Sequence, residues 1–298
     1  MYMAIEERDR KREQWIDSLK GITIFLVVFA HVIGGFGRSE IGSSSALKVG
    51  NWVYEIIYVF HMPLFMTISG YVFSLAYLKV VDKQCERARV SRKEQYREQI
   101  CNLLADYFIF SIIMFLFKWL FADYVSLGVE WKDLIYLPIR SIPQVPYWYF
   151  YVLIFLYMLA GVIMRQSWNK DKVILIFSGI YILYAVSGLP EVFTIQRVIN
   201  YACFFMLGCL YQIRGGVERL NKHYVIQGII VICGMLIAVF GDDSYIWSKL
   251  LIRIIRVCSA FFLINILFHI AEKYLNHSGI FSWLGQRSLE IYISFVYN

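Results

Sequence analysis

Hydrophobic residues fall in long blocks, separated by short polar segments rich in Lys and Arg. A membrane-crossing helix needs roughly 20 mostly apolar residues. Nine stretches meet that pattern, at about Ser18–Phe36, Val53–Leu78, Ile100–Phe121, Tyr147–Met164, Val173–Ser187, Val198–Ile213, Val225–Phe240, Ile246–Ile270 and Ile280–Val296. The blocks predict an all-α, polytopic transmembrane helix bundle of about nine to ten helices. The fifth and the last fit the template least well.

The connecting segments assign an orientation. Arg8, Arg10, Lys11 and Arg12 precede the first stretch. Lys79, Lys83, Arg87, Arg89, Arg92, Lys93 and Arg97 fill the second loop. Arg165, Lys170 and Lys172 lie in the fourth, Arg214, Arg219 and Lys222 in the sixth, and Lys273 and Arg287 in the eighth. The intervening loops hold fewer cations, and the seventh is acidic at Asp242 and Asp243. Because cytoplasmic loops concentrate Lys and Arg, the alternation predicts a cytoplasmic N-terminus, with residues 1–17 as a cytoplasmic segment. The third loop, Ala122–Pro146, is the longest on the outer side. Its part Trp131–Ile139 reads either as a short interfacial helix or as ordinary loop. An odd helix count puts the C-terminus outside, and the stop at Asn298 suits a truncated form of a longer, even-numbered bundle.

Composition agrees. Of 298 residues, 59% are hydrophobic and 17% charged, against about a quarter charged in soluble domains. Aromatic residues make up 18%, which suits belts at the membrane interfaces. The net charge of +7 gathers in short loops, so it is a topology signal and implies no nucleic acid. Six cysteines lack CxxC spacing, which argues against zinc and a disulfide framework. The charged start and the Gly-rich end of the first stretch do not resemble a cleavable signal peptide. Nothing reads as a linker or a repeat, so residues 1–298 are taken as a single integral membrane domain in the cell membrane.

Ionisable groups inside a bilayer are costly and therefore candidate functional sites. The first stretch carries Lys20 and His31, eleven residues apart. On a helix their side chains point within about 20° of each other and lie about 16 Å apart along the axis. If Lys20 marks the cytoplasmic edge, His31 sits near the midplane of a core about 30 Å thick. Imidazole accepts and returns a proton near neutral pH; a packing role is the competing reading. His61 lies beside Pro63 on the second stretch, followed by Ser69, Gly70 and Tyr71. A proline kink opens room for a ligand or merely serves packing. Arg253 and Arg256 share one face at i, i+3, about 10–15 Å deep if the helix enters at Ile246. They either hold an anion or pair with a carboxylate such as Asp106. Asp17 and Glu290, at membrane edges, either orient a cation or stay solvated. Arg89 and Arg92 suit phosphate binding, or face anionic lipid as topology determinants.

The run from Trp15 to His31 resembles the opening helix of the acyltransferase family 3 membrane proteins, in particular the fucose 4-O-acetylase-like subgroup. That family carries Arg or Lys, ten residues, then His; Lys20 and His31 fill both places. Phe60-His-Met-Pro-Leu-Phe-Met-Thr-Ile-Ser-Gly-Tyr71 resembles its second-helix signature. Pro146-Tyr-Trp-Tyr-Phe150, Phe204-Phe-Met-Leu-Gly208 and Leu284-Gly-Gln-Arg-Ser-Leu-Glu-Ile-Tyr292 are similar to later motifs, in order along the chain. Two departures stand out. Ser294 and Phe295 lie where members often have His, and Asp106-Tyr107 where an Arg-rich stretch often ends in Pro-Tyr.

The resemblance implies transfer of an acetyl or short acyl group from cytoplasmic acyl-CoA to a hydroxyl of a cell-envelope glycan or lipid-linked sugar. It implies His31 as catalytic base or acyl carrier. Lys20, Arg89 and Arg92 would face the donor, acetyl-CoA, and His61, Ser69, Tyr71, Trp148, Arg253 and Arg256 would line the substrate cavity. No permanently bound cofactor and no metal is expected. A transporter or flippase of a polar or lipid-linked solute, which also buries His, Arg and Pro, and a non-catalytic membrane scaffold compete with the enzyme.

Overall fold

The computed structural model describes residues 2–39, 44–79, 86–124, 128–137, 147–165, 169–187, 195–214, 223–241, 246–275 and 279–295. Among them there is no strand. The helices are α1 (Tyr2–Ser39), α2 (Ser44–Lys79), α3 (Glu86–Leu120), α4 (Trp131–Tyr136), α5 (Trp148–Arg165), α6 (Lys170–Ser187), α7 (Ile195–Arg214), α8 (Tyr224–Phe240), α9 (Ile246–Tyr274), α10 (Gly279–Gln286) and α11 (Ser288–Phe295). Helices are the form a lipid environment permits for such apolar blocks, since each satisfies its own backbone groups. Four are long and apolar enough to cross a membrane, at Gln14–Gly35, Ser45–Ala76, Tyr96–Leu120 and Leu250–Tyr274. Trp148–Met164 and Tyr224–Ile237 are shorter apolar helices.

Three elements differ from the sequence pattern or decide between its alternatives. The last apolar stretch is not one helix but two of 8 residues each, with a turn at Arg287. Each is about 12 Å long, too short to cross a core of about 30 Å. The dense basic segment after α2 becomes helical from Glu86, so α3 is 35 residues long. Its Glu, Arg, Lys and Gln are good helix formers, and that propensity outweighs the loop signal of clustered charge. Within the long third loop, Trp131–Tyr136 is helical, and the Asp133 carboxylate accepts from the Glu130 amide at 2.9 Å. That bond satisfies a donor that would otherwise be exposed at the helix start.

The chain packs as two compact units, Met1–Ser69 with Tyr211–Val296, and Gly70–Leu210. In the first, α1 runs against α10. A Cβ at Gly21 would collide with the Phe281 carbonyl, and one at Gly285 with the Asp17 carbonyl. Two glycines facing each other's backbones thus permit the close crossing, as small residues do in membrane helix pairs. On α1, the Ser18 hydroxyl donates at 3.1 Å to the carbonyl of Leu275, the residue just past the end of α9. Helices α8 and α9 are joined by Ser259, whose hydroxyl reaches the Ile230 carbonyl at 3.1 Å. Nearby, the Tyr211 hydroxyl donates to Asn265 Oδ1 at 3.3 Å, and Asn265 Nδ2 to Gln227 Oε1 at 2.7 Å. This chain of buried polar groups ties α7, α8 and α9 together.

In the second unit, α3 packs on α5. The Tyr96 hydroxyl donates to the Tyr157 carbonyl at 3.2 Å, and the Tyr107 hydroxyl to the Leu137 carbonyl at 2.9 Å. Gly70 of α2 abuts the Phe205 carbonyl of α7, where a Cβ would not fit. One turn on, the Cys209 thiol donates to the Gly70 carbonyl at 3.2 Å.

Candidate active site

Helix α1 carries the two spaced polar residues. Toward its basic N-terminal end, Lys20 Nζ lies 3.5 Å from the Asp17 carboxylate, one turn back. Asp17 also accepts from Gln286 Nε2 of α10 at 3.4 Å. The Lys20 ammonium is therefore oriented by a carboxylate on its own helix, and that carboxylate is tied to the final motif. This is the cation-orienting reading of Asp17. Glu290 is exposed.

Eleven residues on, the His31 side chain is exposed, and Ala30 before it is buried. The exposed edge of α1 here continues through Val32. At Gly34 the helix is bare, and a Cβ there would come within 2.8 Å of the Tyr54 ring. The bare position lets the ring of α2 lie directly on α1.

Helix α2 answers with an aromatic ladder. Tyr54 and Tyr58 stack with ring centroids 4.0 Å apart. Tyr58 then meets His61 edge-on at 4.6 Å. His61 is 2% exposed, and its Nδ1 lies 2.8 Å from the Ile57 carbonyl. Two residues later Pro63 withholds the amide that the Val59 carbonyl would otherwise receive. The Thr67 hydroxyl donates to the Pro63 carbonyl at 2.9 Å. The first unit holds both imidazoles, His31 exposed on α1 and His61 buried on α2.

The remaining sequence-derived residues have surroundings of their own. Ser69 donates to the Phe65 carbonyl at 2.9 Å, within its own helix. Tyr71 is packed in the second unit at 1% exposure. Trp148 begins α5 half-buried, stacked on Tyr201 at 5.8 Å, with the Arg197 guanidinium 4.7 Å from its ring centre. Arg253 and Arg256 occupy successive turns of α9, both half-buried. Arg89 and Arg92 fall on α3, and their side chains lie outside the described residues.

Sequence reasoning missed Tyr54, Tyr58, Gln286 and Arg197. The spacing of Tyr54, Tyr58 and His61, at i, i+4 and i+7, was a usable signal, because it places all three on one helix face. Gln286 and Arg197 gave no such signal, since both act through tertiary contacts.

An exposed imidazole on a membrane helix that also carries an acid-paired lysine suits proton transfer to and from a reacting group. Comparison with curated proteins finds no match, and comparison with solved structures finds none either. The sequence profile of the family described as an acyltransferase domain matches residues 13–297, so nearly the whole chain is covered. That coverage, running through both compact units, shows that the chain belongs to acyltransferase family 3 and is a membrane acyltransferase.

Proposed function

We propose that the protein is an O-acyltransferase of the cell membrane, crossing it several times with its N-terminus in the cytoplasm. It moves an acetyl or short acyl group from acyl-CoA to a hydroxyl of a cell-envelope sugar or polysaccharide precursor. The observation that carries this reading is the exposed His31 imidazole on α1, on the same helix as the paired Lys20.

In this mechanism His31 takes the proton of the acceptor hydroxyl as its oxygen attacks the thioester carbonyl. The tetrahedral intermediate collapses, the carbon–sulfur bond breaks, and the imidazolium returns its proton to the thiolate of CoA. Lys20 is assigned to the donor phosphates, and Arg89 and Arg92, in the basic sequence of the N-terminal part of α3, are assigned to the same chemistry independently of it. Arginine forks and lysine point charges are the usual partners of such groups. The fucose 4-O-acetylase-like resemblance supports a sugar acceptor.

The test is purified protein in lipid vesicles, supplied with labelled acetyl-CoA and envelope glycan. Label should appear as an ester on the glycan, and His31→Ala should abolish it. Undiminished transfer by the alanine variant would remove His31 from the mechanism. Glycans from a deletion strain should lack one acetyl ester.

A further inference from the structure

In the second unit, two aromatic rings and a cation meet where α5 and α7 begin. We infer that Trp148, Tyr201 and Arg197 form the subsite for the acceptor, and that this acceptor is an acidic sugar, one bearing a carboxylate or a phosphate. The inference rests on the acyltransferase reading and narrows its acceptor class.

Measured contacts join the three side chains. The Tyr201 ring stacks on the Trp148 indole, with centroids 5.8 Å and planes 20° apart. The guanidinium carbon of Arg197 lies 4.7 Å from the indole centre. All three residues are half-buried, so each keeps a surface that a ligand can touch. Arg197, Asn200 and Tyr201 follow one another on α7 at i, i+3 and i+4, which places them on one helix face. The Asn200 Oδ1 on that face is buried and has no hydrogen-bond partner. An acceptor atom left so costs free energy until a donor reaches it.

Each group matches a different part of an acidic sugar. The C–H face of a pyranose is apolar and packs on indole and phenol rings, which offer a broad apolar body with a polar tip. The guanidinium stays ionised, and its N–H donors form a planar fork suited to carboxylate and phosphate. Its contact with the indole holds that fork in place. Asn200 Oδ1 suits a sugar hydroxyl, which donates. The side of the membrane agrees. On the charge alternation, the third and fifth loops, which lead into α5 and α7, are outer loops. A cell-envelope acceptor approaches from that side.

The test uses envelope glycan in two forms, native and with its carboxyl groups reduced and its phosphates removed. Purified protein in vesicles of zwitterionic phosphatidylcholine receives labelled acetyl-CoA and either form. Wild-type protein should have an acceptor KM about 10- to 100-fold lower for the native glycan, the range of a hydrogen bond to a charged group. Arg197→Gln should raise the native-glycan KM by that factor, while KM for the neutralised glycan and for acetyl-CoA stays within about twofold. Trp148→Ala should raise both acceptor KM values alike, by about 2- to 10-fold, because ring stacking does not sense the ligand charge. Equal KM values for the two glycans in the wild-type protein would refute the inference. So would an Arg197→Gln protein equally impaired on both, which is the pattern of a packing role. An Arg197 effect seen only when the vesicles contain phosphatidylglycerol would make the cluster a lipid-headgroup anchor and overturn it too. If the Gln variant does not fold, a folded Arg197→Lys protein with wild-type KM for the native glycan would refute it, because a point charge does not reproduce the fork. Failure of the wild-type protein to transfer label to either glycan would instead overturn the acyltransferase reading itself, and this inference with it.

Discussion

Replacing Gly285 by alanine adds one methyl group where α10 crosses α1. The new carbon would collide with the Asp17 carbonyl oxygen and stand 3.0 Å from the Gly21 amide nitrogen. Carbon and carbonyl oxygen in contact between packed helices settle at about 3.3–3.6 Å. The clash is with backbone, so no side chain can swing aside and the helices must part by roughly 1.5–2 Å to restore that contact. A gap of 0.5–1 Å forfeits about a quarter to a half of the dispersion energy of the contacts it opens. Forced overpacking typically costs about 1–3 kcal/mol. The Gln286–Asp17 bond, already 3.4 Å long, would be lost as well, at about 0.6 kcal/mol for an interhelical bond in a membrane. Against this, alanine is a better helix former than glycine by about 1 kcal/mol. The net expectation is a loss of about 1–3 kcal/mol. Unfolding of the purified protein in mixed micelles, by titration with a denaturing detergent, would measure it. Gly228→Ala is the control, because a Cβ there meets nothing within 4 Å; it should be neutral or stabilising by up to about 1 kcal/mol. A Gly285→Ala protein as stable as wild type would refute the tight crossing of α1 and α10.

Asn265→Ala should destabilise the protein by about 1–2 kcal/mol in the same titration. It removes both the acceptor of Tyr211 and the donor to Gln227. Ser259→Ala removes the link to the Ile230 carbonyl and should cost about 0.6 kcal/mol. A bulkier Ser259→Leu should cost more, because Gly234 packs directly on this side chain. Arg197→Gln should weaken the cover over Trp148 by about 0.5–2 kcal/mol, read from thermal unfolding followed by tryptophan fluorescence.

The hydrophobic blocks made the helices legible from sequence, because lipid-compatible length is written directly in composition. Breaks inside such blocks were not. Gly285, Arg287 and Ser288 sit in an otherwise apolar run, and hydropathy averages over the turn that separates α10 from α11. The N-terminal part of α3 was obscured in the opposite way, since its clustered charge signals topology while the same residues favour helix. At the site, Lys20 and His31 stood out because both are ionisable and share one helix face. His61 read as a weak signal, since its importance depends on which helix lies beside it. Helical periodicity carries no information about that choice. Likewise, the sequence marked Asp17 as a group able to orient a cation, and the spacing to Lys20 bears this out. Its second partner, Gln286, comes from α10 and could not be read from the spacing.

The seam between α1 and α10 also bears on the order in which the protein is made. Its polar link, between Asp17 and Gln286, spans 269 residues of chain. Ribosomes add about 5–20 residues per second, so α1 waits roughly 10–60 seconds in the bilayer before α10 exists to receive it. During that interval the Lys20 charge is balanced by Asp17, three positions away on the same helix. A nascent segment that carries its own counter-ion needs no neighbour or chaperone to shield that charge until its late-arriving partner is synthesised.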